Sequence, residues 1–408
     1  MSTLDDVSSL SPLAPVDADG LARALLPFGQ SRMLPLEAYT SPDVLAWERR
    51  SLVAGSWACV GRVDELRAGN ATQRALVVGD IPVLLTFDGN QVRAFANTCR
   101  HRAHVLLEDD VSSTNRSVLC VYHAWTYRLD GTLQGAPGFR YKVDLDMASY
   151  GLVALPSQEW HGWLFVNATG TASSWEDHLG DLDQLVAPYR TEDLVLGARH
   201  TYEIKANWKL VSENYHECYH CPLIHPELCQ VSIPTSGDNY TMPGAWVGGS
   251  MSFRDGAETM SIDGKSLGRS IEGAPQHEVL YVQLFPNLLI SGHPDYVMTH
   301  RVLPLAPDRT WIECSWYFPD ADVDPSYAVD FWDLTNSQDW KACELVQRGL
   351  SSPHFAPGPL APGEDAVHQW IHLVGRAYLG IPPHVAPVGR LLEVSVAGES
   401  VPDGIAVE

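Results

Sequence analysis

Cys99-Arg100-His101-Arg102 and Cys120-Val121-Tyr122-His123-Ala124-Trp125 decide how this chain is read. Each segment offers one thiolate and one imidazole, so together they supply two sulfurs and two nitrogens. That donor set suits a [2Fe–2S] centre with two Cys on one iron and two His on the other. Neutral imidazoles in place of thiolates raise the potential, so such a cluster accepts electrons readily. Zinc also takes two Cys and two His, but zinc sites usually group a Cys pair followed by a His pair. Here the order is Cys then His, twice, which suits two hairpin tips facing each other. Electron handling is the first expectation.

The surroundings fit small antiparallel strands that present ligands on loops. Leu84-Leu85-Thr86-Phe87 and Gln91-Val92-Arg93-Ala94-Phe95 flank Asp88-Gly89-Asn90, a hairpin with a Gly-containing turn. Tyr127-Arg128-Leu129 and Thr132-Leu133 flank Asp130-Gly131 in the same way. This pattern of short strands and Gly turns extends over residues 56–165. Upstream, residues 1–35 are Ser/Pro/Asp-rich and read as a flexible arm. A helical lead-in follows at 36–55, with Ser41 as cap and Pro42 in the first turn. The second region, 166–380, has a strand near His200 with Tyr202, Ile204 and Ala206 in alternation. A helix is expected from Lys209 to about His220, then strands at 279–283, 288–291, 296–302 and 311–317. Helices at 328–350 and 364–379 complete it, and 381–408 reads as a loosely attached tail.

A chain of 408 residues has room for two or three domains. Its formal charge of −23 excludes a nucleic-acid binder, because nothing neutralises a phosphate backbone. No apolar run is long enough to cross a bilayer, and the first residues lack a secretory pattern. Eight scattered cysteines fit a reducing cytoplasm better than a disulfide framework.

A second constellation lies in Asn214-Tyr215-His216-Glu217-Cys218-Tyr219-His220-Cys221-Pro222-Leu223-Ile224-His225. Pro222 disfavours helical geometry in the residue before it, so the helix is predicted to end near Cys221. A broken helix end can turn His220 and His225 toward one ion. Two imidazoles with one carboxylate form the facial triad that holds mononuclear Fe(II) and leaves open positions. The competing pairing is His216 with His220 on one helical face, as in zinc proteases, although their His-Glu-x-x-His order is absent.

Both constellations resemble those of Rieske non-haem iron oxygenase α-subunits, and the likeness runs from about residue 37 to 380. It implies an α+β fold: a small all-β Rieske [2Fe-2S] domain plus a helix-grip-like catalytic domain with a central antiparallel sheet. It implies Cys99, His101, Cys120 and His123 as cluster ligands and His220 and His225 as iron ligands. The third iron ligand would be a carboxylate on a long downstream helix, where Asp339 stands, with Asp333 and Glu344 as alternatives. Glu217 would join His220 to His123 of a neighbouring subunit, which implies a homotrimer. Many ring-hydroxylating members carry Asp where this chain has the longer Glu217.

Residues 214–222 and 285–296 are similar to a subgroup that oxidises quaternary ammonium compounds such as glycine betaine. That implies hydroxylation of an N-methyl carbon with loss of formaldehyde, using O2 and electrons from a separate flavin-containing, NAD(P)H-dependent reductase. A tetraalkylammonium donates no hydrogen bond, so aromatic faces would hold it. Among 13 Trp and 15 Tyr, the strand positions single out Tyr281 and Trp316, together with Phe285. Two other readings stay open: an oxygenase of an aromatic ring, and an electron carrier whose second site is structural. His104 reads as a surface residue.

Overall fold

Gly89 takes φ 99°, a conformation open to glycine, and the Asp88 carboxylate accepts from the backbone N–H of Asn90 and Gln91 at 2.9 Å. That turn joins strands Ile81–Phe87 and Val92–Ala96. They form the centre of a five-stranded antiparallel sheet whose other members are Ser112–Ser113, Gln73–Val78 and Ala154–Leu155. The second expected hairpin carries Ser117–Leu119, Thr126–Arg128 and Leu133–Gly135. A third small sheet has Trp163–Val166 between Ala58–Arg62 and Ser157–Trp160. This is a computed structural model, and it describes residues 12–67, 71–139 and 145–383.

The second region is built on one seven-stranded antiparallel sheet. Its order is Val195–Ile204, Arg309–Phe318, Val297–Ala306, Leu288–Gly292, Glu278–Leu284, Trp246–Ser252, Asp238–Asn239. The fold is α+β, as expected. Helices α1 (Ala18–Ala24), α2 (Pro42–Glu48), α3 (Trp208–Tyr215), α4 (Cys221–Ile224), α5 (Ser326–Leu350) and α6 (Asp365–Tyr378) surround this sheet. Ser41 caps α2 through Val44 N, and Pro42 opens it. No described helix is long and apolar enough to cross a membrane.

Three expectations need correction. The arm is not loose where it is described: Leu21, Ala24 and Leu25 of the 12–35 stretch are buried in one core with Ile371 and Val374 of α6. Leu13 N also bonds the Tyr378 carbonyl at 2.8 Å. Apolar spacing at i, i+3 and i+4 drives that docking despite the polar composition. Residues 1–11, like all but the start of the 381–408 tail, lie outside the described residues. Next, the helix expected to reach His220 stops at Tyr215, and Pro222 opens α4 rather than closing its predecessor. Finally, Cys218 and Cys221 form a disulfide, while the other six cysteines are free.

A buried ion pair fixes α3, the helix that leads into the second constellation. Lys209 and Glu48 are both fully buried, with Nζ to Oε1 at 2.7 Å. Glu48 also accepts from Trp208 Nε1 at 2.9 Å and from the Tyr378 hydroxyl. One carboxylate thus ties α2, α3 and α6 together. Lys209→Met strands that charge in the core and should cost about 3–5 kcal/mol in denaturant unfolding. Adding Glu48→Leu removes the stranded charge but leaves Trp208 Nε1 and the Tyr378 hydroxyl without their acceptor, so it should recover only part of the loss.

Candidate iron centres

The two cluster segments fold as near-copies. Ala103 N bonds the Cys99 carbonyl at 3.0 Å, and Ala124 N bonds the Cys120 carbonyl at 2.9 Å. Both alanines are left-handed, with φ of 56° and 57°. Each tip therefore doubles back on itself, which turns its imidazole toward the other. The His101 and His123 ring centroids lie 4.7 Å apart, and His101 stacks on Trp125 at 5.0 Å. Cys99 and Cys120 are buried yet unbridged, and Tyr127 Oη lies 3.2 Å from Cys99 Sγ. Burial, first, and the neighbouring Cys99 raise the Cys120 thiol pKa. His101 Nδ1 is buried with no hydrogen-bond partner among the described residues. Two crowded thiols and an orphaned imidazole nitrogen fit an iron–sulfur cluster, which needs the thiolates and an unprotonated nitrogen.

At the second constellation three donor atoms form a triangle. His220 Nε2 lies 3.1 Å from His225 Nε2, which lies 2.9 Å from Asp339 Oδ1. The third side, His220 Nε2 to Asp339 Oδ1, is 3.3 Å. Donors about 2.1 Å from a metal are about 3.0 Å apart at right angles and about 3.4 Å apart at the tetrahedral angle. The triangle averages nearer the first, so it fits one face of an octahedron with the opposite face open. The outer nitrogens are held as well: His220 Nδ1 bonds Glu217, and His225 Nδ1 lies 2.7 Å from Gln338 Oε1. Such bonds place the ring protons on Nδ1 and leave both Nε2 lone pairs for a metal.

The other candidates are drawn elsewhere. His216 is buried against Gln283 Oε1 at 3.1 Å, and burial pushes its pKa down to about 4. The His216–His220 pairing is therefore not formed. Asp333 accepts from Tyr202 and contacts His200 Nδ1 at 2.9 Å, while Glu344 accepts from Lys205 N at 3.0 Å. Glu217 does not share a helix with His220. It sits in the loop after α3, where its Oε2 caps Tyr219 N at 2.6 Å and His220 N at 3.2 Å.

Burial alone would lower the His220 pKa, but the bonds from Asp339 and Glu217 outweigh it and raise it to about 10. The metal-free site therefore carries a proton at neutral pH, paired with Asp339, whose carboxyl those imidazoles hold low against its burial. That proton stabilises the metal-free fold fully below the ordinary histidine value of 6.5, and the contribution is lost as pH rises through about 10. Metal entry must displace it, so affinity should rise up to about tenfold per pH unit between neutrality and pH 10. Metal titrations of the depleted protein check this; a flat profile contradicts it.

The triangle opens into a cavity of about 1550 Å³. Tyr215, Tyr281, Trp332 and Trp340 are aromatic residues that line it, with His300 and Asn336 as polar neighbours. The Tyr281 hydroxyl and Trp340 Nε1 are buried without partners among the described residues. On the sheet side Gly248, φ 151°, lets two strands approach closely, since a Cβ there would come within 2.0 Å of the Tyr281 carbonyl. Of the three aromatic candidates from strand placement, Tyr281 lines the cavity, whereas Phe285 and Trp316 are buried in separate cores. Sequence reasoning missed Trp332, Asn336 and Gln338. Trp332, Asn336 and Asp339 recur at helical spacing on α5, a signal that was there to be used.

Two family profiles match this chain: Rieske [2Fe-2S] domain over residues 56–150, and ring hydroxylating alpha subunit (catalytic domain) over 191–379. The glycine betaine monooxygenase oxygenase subunit of Chromohalobacter salexigens is 30% identical over 395 residues, covering 88% of this chain and 87% of that protein. The carnitine monooxygenase oxygenase subunit of Escherichia coli K12 is 35% identical over 215 residues, 52% of this chain and 57% of that protein. Among solved structures, the quaternary ammonium Rieske monooxygenase CntA with L-carnitine superposes with a TM-score of 0.69. It is 25% identical and covers 85% of this chain and 96% of that one. Naphthalene 1,2-dioxygenase from Rhodococcus sp., at 18% identity and TM-score 0.63 over 85% of this chain and 94% of that one, shares the fold. With both domains matched and a relative aligned along most of its length, the chain belongs to the Rieske non-haem iron oxygenase α-subunits, which carry a [2Fe–2S] cluster and a mononuclear iron.

Proposed function

We propose that this chain hydroxylates an N-methyl carbon of a quaternary ammonium substrate of the glycine betaine or carnitine type. The new carbinolamine then releases formaldehyde and a proton, leaving the tertiary amine. The observation that carries the reading is an open-faced donor triangle beside a cavity walled by Tyr215, Tyr281, Trp332 and Trp340. A fixed positive charge without N–H groups is held best by such faces. The relatives named for glycine betaine and carnitine support the same substrate class.

In this reading His220, His225 and Asp339 hold the iron, which supplies O2 activation when bound. Gln338 and Glu217 orient the two imidazoles. Cys99, His101, Cys120 and His123 hold the cluster, charged by a separate reductase. In a head-to-tail trimer Glu217, which bonds His220 in its own chain, would join it to His123 of a neighbouring subunit. Exposed apolar side chains beside both centres support such docking: Val121 is 76% exposed, and Tyr219 and Leu223 are 70% and 92% exposed.

The test supplies glycine betaine, carnitine, choline and naphthalene with O2 and a surrogate reductase. Formaldehyde equal to O2 consumed is expected from at least one quaternary amine, with no naphthalene product. Arene turnover without formaldehyde would reverse the assignment.

A further inference from the structure

We propose that Cys218 and Cys221 form a reversible disulfide switch that withholds Cys221 from the mononuclear metal when oxidised and delivers it as a sulfur ligand when reduced. The proposal rests on His220 and His225 holding that metal. The pair brackets His220 in sequence and is closed as a disulfide. Cys221 is buried, and its Sγ lies 3.9 Å from His220 Nε2. Cys221 Sγ and one ring nitrogen each of His220 and His225 all fall within 4.8 Å of one another. A sulfur so close to two imidazoles is a competent metal donor once it is a thiolate, and a non-donor while bonded to another sulfur.

Access is asymmetric. Cys218 is partly exposed beside the exposed Tyr219, whereas Cys221 faces inward. A dithiol reductant therefore attacks Cys218 Sγ, forming a mixed disulfide and expelling Cys221 as a thiolate. The second thiol of the reductant closes its own disulfide and releases Cys218. Two electrons and two protons pass to the cysteine pair. When Cys221 binds the metal its proton goes to solvent, and one position of the open face is filled. Reoxidation by an acceptor of two electrons, such as a low-molecular-weight disulfide, reverses each step.

The test uses the full chain with its cluster, the mononuclear iron exchanged for Co(II). Peptide mapping without reduction should recover the Cys218–Cys221 linkage. Visible cobalt bands should report metal at the site in both redox states. Reduction by a trialkylphosphine, which takes the oxygen of water as it reduces the disulfide, should add a near-ultraviolet thiolate-to-cobalt band. Cys221→Ser should abolish that band, and Cys218→Ser should show it without reduction. Unlinked cysteines in the aerobically purified protein, or cobalt bands with no thiolate band after reduction, would overturn the switch. Absence of all cobalt bands would remove the three-ligand reading and the switch with it.

Discussion

Asp339→Ala should abolish oxygenation while leaving the colour of the cluster intact. Iron should fall from about three atoms per chain to about two, because the cluster alone holds two. The size of the effect follows from what the carboxylate does. It closes the donor triangle at 2.9 Å and 3.3 Å from the two imidazoles, in a partly buried position. Removing a group that merely supports a ligand costs about 10–100-fold in metal affinity or activity, so removing a ligand should exceed that range. Asp339→Ala also deprives His220 of the partner whose bond is the largest influence raising its pKa. The pH dependence of metal uptake should therefore flatten in the variant. Asp333→Ala is the control: its side chain serves His200 and Tyr202, and full activity is expected. Retained oxygenation in Asp339→Ala, measured as O2 uptake coupled to formaldehyde, would take this residue out of the site.

Glu217→Gln should lower turnover by about 10–100-fold without emptying the iron site. Glutamine keeps the length and an oxygen that can cap Tyr219 N and His220 N, so the loop after α3 keeps its shape. It removes the charge that faces the His220 Nδ1 proton. Two roles are then separable. A residue that only orients His220 would show its loss as metal released to a chelator, with cluster reoxidation normal in those molecules that keep their iron. A residue that also links subunits would slow reoxidation of the pre-reduced cluster by O2 and substrate, with iron content preserved. The second pattern is expected, and normal reoxidation in the variant would confine Glu217 to its own chain.

The parts of this molecule readable from sequence are those whose cause is local. The cluster segments place both donors within a few residues, and Asp88-Gly89 and Asp130-Gly131 carry their own turn chemistry. Helix ends after α3 were harder to read. The Glu217 side chain takes the backbone N–H groups of Tyr219 and His220, and a buried His216 anchors to Gln283, so the chain leaves the helix before Pro222 is reached. Asp339 could be singled out only by resemblance, since its meeting with His225 spans more than a hundred residues. Strand alternation divides residues between two faces but does not say which face borders the cavity, which is why Trp316 was misplaced; Phe285 shares the parity of Tyr281 but lies just past the end of strand Glu278–Leu284, where alternation stops. The 12–35 segment was misread because composition was weighed above the spacing of Leu21, Ala24 and Leu25.

One polypeptide carries two different iron centres. Iron, zinc and acid-labile sulfide analysis of anaerobically purified protein tests it most directly. About three irons and two sulfides per chain are expected, with no zinc. Colourless protein whose thiolates hold zinc, or a count stopping at two irons, would contradict the account.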